Sequence, residues 1–146
     1  MRDEKMKKEI TKTIINGLLL SFLAGTISSI IILLIIQFQN QSHYDDERPR
    51  MDCFAGLGYG IIVGVHFLFV ILSLPAFFNL FKTVREHRFY SFLSFFTGPF
   101  LYLILISFSL PEFSEEDFLF IIPWIFMVIW IYYYFKLQKI IKLKNE

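Results

Sequence analysis

One cysteine, Cys53, stands in a chain of 146 residues. It excludes an internal disulfide and a dithiol redox centre of the CxxC kind, and leaves Cys53 as an ordinary small residue near a helix start. Histidine is nearly as scarce, with His43, His66 and His87. The scarcity of charge says more. No Asp, Glu, Lys or Arg lies between Lys12 and Asp45, between Asp52 and Lys82, between Arg88 and Glu112, or between Asp117 and Lys136. A helix rises about 1.5 Å per residue, so about 20 apolar residues cross the hydrocarbon of a bilayer, and each gap can hold such a helix.

What is there points the same way. Hydrophobic residues make up 55% of the chain and charged residues 18%, against about 45–50% and about 25% in soluble domains. Helices buried in soluble cores rarely run past about 14 residues without a polar face. Four such gaps in succession predict an all-α fold, a polytopic integral membrane four-helix bundle. Its spans fall at about 13–36, 53–81, 89–110 and 118–135, within a single membrane domain covering 1–146. The apolar run over 14–36 far exceeds the roughly 7–15 residues of a signal-peptide core, so the first span reads as an uncleaved anchor. Pro75 marks a bend in the second span, and Pro99 after Thr97-Gly98 a bend in the third.

Basic residues collect on the cytoplasmic side of short loops. Under four crossings, the first tail, the loop between spans two and three and the last tail share one side. They hold 12 of the 14 basic and 5 of the 13 acidic residues, a net +7. The other side, with Arg48 and Arg50 against eight acidic residues, carries −6. Both termini are therefore expected in the cytoplasm. Tyr132, Tyr133 and Tyr134 before Lys136, and Tyr90 at the start of span three, suit the interface on that side. Leu137, Ile140 and Ile141 recur at helical intervals among lysines, so helix four is expected to continue beyond the membrane as a basic extension. Its lysines can approach anionic headgroups. Ser114 and Asp117 read as a capping box at the start of span four.

The most specific internal pattern is a pair of small-residue stripes. Gly17, Ser21, Gly25 and Ser29 recur every four residues in span one, and Gly56, Gly60 and Gly64 in span two. Such spacing puts each set on one helix face, where small side chains let backbones approach closely in lipid. By depth, the first stripe matches Ser91, Ser94 and Gly98 of span three, which leaves the second for an external partner. Gly56, Gly58 and Gly60 also resemble part of a phosphate-binding loop, but no strand precedes them. His66 is the one readily ionisable side chain well inside a span, and so a candidate polar site that a serine hydroxyl from a neighbouring helix can satisfy. The Arg85-Glu86-His87-Arg88 segment can touch a phosphate, although topology alone accounts for its arginines.

Exclusions narrow the function. A carboxylate inside the membrane, common in proton- or sodium-driven transporters, is missing. The three histidines fall at three different depths and cannot form one site in a monomer. His43, Asp45, Asp46, Glu47 and Asp52 match no calcium-loop spacing. No enzyme, cofactor or metal is expected, and no nucleic-acid partner. The expectation is a non-catalytic interaction protein of a membrane: an accessory subunit, a regulator or a toxin-immunity protein. The alternative is a homo-oligomeric channel or transporter with a path near His66. Besides the lipid bilayer, a membrane-protein partner or further copies of the chain are implied. Richness in Phe, Ile and Lys suits a low-GC bacterium, hence a multi-pass protein of the bacterial cytoplasmic (inner) membrane.

Overall fold

The computed structural model describes residues 2–41, 55–109 and 122–145. Expectations for Cys53, for the acidic residues from His43 to Asp52, and for the Ser114–Asp117 box lie outside them. The described chain is all-α, without a strand. Helix α1 spans Arg2–Gln41, with Asp3 and Glu4 in its first turn, where carboxylates complement the helix dipole. Helix α2 spans Ala55–Leu72. A 3-10 segment follows over Leu74–Leu80, then the short helix α3 over Lys82–Glu86. Helix α4 spans Arg88–Ser109 and α5 Ile122–Asn145.

The bend expected at Pro75 is a change of helix type. Proline removes an N–H, clashes with the carbonyl four residues back and disfavours the α region in the residue before it. Helix α2 stops at Leu72, and the Ser73 N–H is shared between the carbonyls of Phe69 (2.9 Å) and Val70 (3.2 Å). The chain then tightens into i→i+3 bonds, with Ala76 N–H to Ser73 O at 3.0 Å and Phe81 N–H to Phe78 O at 3.0 Å. Extended backbone at Phe81 and at His87 separates α3 from its neighbours. Pro99 lies inside α4, which continues past it, and its ring is fully buried.

The four long helices run alternately up and down. Gly17 of α1 meets Tyr133 of α5, and Gly25 meets Phe126, so these two are antiparallel. Leu33 meets Gly58 while Gly25 meets His66, so α1 and α2 are antiparallel as well. The Tyr102 ring lies 4.2 Å from that of Phe69 and Ser91 bonds Asn79, which opposes α4 to the α2 leg. The most extensive packing is between α1 and α5. There Met6, Ile10, Ile14 and Leu18, four apart on α1, meet Tyr133, Leu137 and Ile141 of α5 within the main core.

The extension past Tyr134 is thus no free tail. Leu137 and Ile141 are buried, and their burial docks the last turns of α5 on the first turns of α1. Asp3 and Arg85 are ion-paired, and Arg85, Arg88, Lys139 and Lys142 border one cleft. The three basic segments therefore gather at one end of the molecule.

Away from the basic end, much of the described exterior is apolar. Leu19 (59% exposed), Ile27 (56%) and Phe67 (58%) face outward together with many other large apolar side chains. Among the described residues two segments, Asp3–Gln39 and Gly56–Leu80, are long and apolar enough to cross a membrane, and only 22% and 28% of their apolar windows are buried inside the molecule. A core helix of a soluble protein would be mostly buried.

Candidate functional site

The stripe of α1 is an internal seam. A Cβ on Gly17 would stand 2.9 Å from Cγ of Tyr133, and one on Gly25 would stand 2.6 Å from the His66 ring. Ser21 and Ser29 are buried on the same face, and among the described residues their hydroxyls have no hydrogen-bond partner. The pairing with span three is not what forms. The bulky rings of α5 and α2 fill the α1 groove, and Ser91, Ser94 and Gly98 turn to the α2 leg instead. Gly98 meets the exit of α2, where a Cβ would fall on the Leu72 carbonyl and 2.8 Å from Ser73 N.

The second stripe behaves differently. Gly56, Gly60 and Gly64 are all exposed, and among the described residues a Cβ on any of them would meet nothing within 4 Å. Among the described residues, three aligned glycines thus leave a backbone face of α2 uncovered.

His66 lies on the opposite side of α2 and is fully buried. Its Nδ1 is 2.9 Å from the carbonyl oxygen of Ile62, one turn back on its own helix. A carbonyl only accepts, so Nδ1 carries the hydrogen of that bond. This bond goes to the helix's own backbone.

The buried polar centre is at Asn79. Its Nδ2 donates to Ala76 O (2.9 Å) and to Ser94 Oγ (3.0 Å), and its Oδ1 accepts from Ser91 Oγ (2.5 Å). Ser94 Oγ donates in turn to Pro75 O (2.9 Å), and Gln138 Nε2 to Ser91 Oγ (2.8 Å). One network thereby ties the 3-10 segment, α4 and α5. Trp130 adds a second tie between α5 and α4, with its Nε1–H on Phe95 O at 2.9 Å and its ring stacked on Phe95 at 4.2 Å. Seven residues is long for a 3-10 helix, and these side-chain bonds supply what its poorer backbone geometry lacks.

At the basic end, Arg85 donates through Nη2 to Asp3, which also pairs with Lys7 at 3.2 Å. The hydrogen bond from Arg85, and after it that from Lys7, holds the Asp3 carboxyl below its ordinary value of 3.8. A cleft of about 610 Å³ opens beside Arg85. A second hollow of about 410 Å³, bordered by Lys7, Lys8 and Lys12, lies on the surface of α1 alone. Among the described residues no three His, Cys, Asp or Glu side chains converge as metal ligands.

Comparison of the chain with family models, with curated proteins and with solved structures finds no match.

Proposed function

We propose that this chain is a four-pass protein of a bacterial inner membrane, with spans at about 13–36, 53–81, 89–110 and 118–135 and both termini cytoplasmic. We propose further that it acts without catalysis, by holding another membrane protein against the glycine face of α2. The observation that carries this reading is a contrast among glycines. Gly17, Gly25 and Gly98 each abut a neighbouring helix, whereas Gly56, Gly60 and Gly64 are exposed and, among the described residues, a Cβ on any of them would meet nothing within 4 Å. Small faces are what lets helices approach closely in lipid, where no hydrophobic drive brings them together. The apolar exterior and the single basic end support the crossings and their direction. An accessory subunit, a regulator or a toxin-immunity protein would each use such a face.

Burial of His66 between α1 and α5 counts against the alternative, a path lined by that side chain between copies of the chain. Purification in mild detergent followed by native mass analysis separates the two readings. A second protein that co-purifies with the wild type and is lost from Gly60→Leu, at unchanged melting temperature, is the expected result. A defined homo-oligomer that passes ions in proteoliposomes would refute it.

A further inference from the structure

We propose that the cleft at the basic end is a binding site for a phosphate group, taken from the headgroup of an anionic phospholipid. The site is separate from the glycine face and stands on its own geometry. Only the lipid as the source of the phosphate depends on the membrane reading.

Three elements converge on the cleft: α3 with Arg85, the start of α4 with Arg88, and the last turns of α5 with Lys139 and Lys142. On α5, Phe135, Gln138, Lys139 and Lys142 follow an i, i+3, i+4, i+7 spacing, which puts them on one face. The opposite flank docks on α1 through Leu137, so the lysines are held toward the cleft by packing. Gln138 is fixed by its bond to Ser91.

Four cations thus surround a space whose volume suits a small ligand or headgroup, about 300–1,000 Å³. The one carboxylate on the rim, Glu86, already has a cation, Lys82 at 3.7 Å. Among the described residues, no carboxylate pairs with Arg88, Lys139 or Lys142. Arg85 is the decisive member. Its side chain is only 5% exposed, its single anionic partner Asp3 is shared with Lys7, and its Nη1 has no hydrogen-bond partner among the described residues. A buried guanidinium with unspent donors is costly unless an acceptor is supplied. A phosphate supplies several oxygens and matches the planar donor fork of arginine. Basic pockets between helices on the cytoplasmic side are where anionic headgroups are held.

The test uses full-length protein in a neutral detergent, mixed with phosphatidylglycerol, with phosphatidylcholine or with inorganic phosphate. Bound lipid is counted by native mass spectrometry and melting is followed in parallel. Arg88, Lys139 and Lys142 are exposed, so the triple variant R88Q/K139Q/K142Q is expected to fold. It should lose phosphatidylglycerol by about 100-fold, at roughly fivefold per removed cation. The variant K5Q/K8Q/K12Q removes the same charge from the neighbouring surface of α1 and should retain the lipid. Inorganic phosphate that displaces the lipid and raises the melting temperature at millimolar concentration would assign the site to free phosphate. Equal loss in both triple variants, or no response of the wild type to any of the three probes, would overturn the proposal.

Discussion

Gly98 and Gly60 occupy similar positions on paper, a small residue within an apolar run, yet they have opposite surroundings. A methyl at Gly98 collides with the Leu72 carbonyl, which is backbone and cannot swing aside. Gly98→Ala should therefore lower stability by about 1–3 kcal/mol, the usual range for overpacking, in a melting or denaturant titration in detergent. Gly60→Ala meets no described neighbour and should leave the isolated chain unchanged or raise its stability by up to about 1 kcal/mol, since alanine is the better helix former. Asn79 is the other residue on which much depends. Asn79→Ala removes the partner of Ser91 and Ser94 at once and should destabilise by about 1–3 kcal/mol. Spacing revealed the stripes but not this division of labour. Whether a glycine is filled depends on which bulky ring stands opposite, and Tyr133 lies more than a hundred positions from Gly17. Nor did the run around Asn79 reveal its network, because the partners Ser91, Ser94 and Gln138 come from two other helices.

Among the elements, the long helices were legible because charge punctuates the chain where they end or turn, and Pro75 showed where the second leg must change. The 3-10 segment was not legible. Its local sequence, Leu74–Leu80, carries no signal for seven residues of that geometry, and only the Asn79 network accounts for it. The partner of the first stripe was misjudged because depth limits which residues can meet without deciding which helices are neighbours. The ion pair between Asp3 of α1 and Arg85 of α3 has a consequence in acid. Asp3 titrates below its ordinary value in the folded chain, so its contribution is complete above about 3.8 and is lost as pH falls through the lowered folded value. The stability difference between wild type and Asp3→Asn should therefore be constant at neutral pH and shrink on acidification below that value. A difference that stays constant down to pH 2 would show that the Arg85–Asp3 pair does not contribute.

For the molecule as a whole, polar side chains such as Asn79, Ser91 and His66 lie inside while large apolar ones cover the outside. The two tryptophans report on this arrangement. Trp124 is 67% exposed and Trp130 fully buried. In brominated lipid, a Trp130→Phe variant that keeps Trp124 should be strongly quenched, and a Trp124→Phe variant that keeps Trp130 only weakly. Four crossings with the basic end inside is the claim on which the proposed function rests, and a cysteine-accessibility scan addresses it directly. In a Cys53→Ser background, single cysteines are placed at Ser42, Thr83, Ser114 and Asn145 and treated in intact cells with a membrane-impermeant maleimide. The four-crossing reading requires labelling of positions 42 and 114 from outside, and of 83 and 145 only after permeabilisation. Labelling of 42 and 114 from opposite sides, or of all four positions from one side, would contradict it.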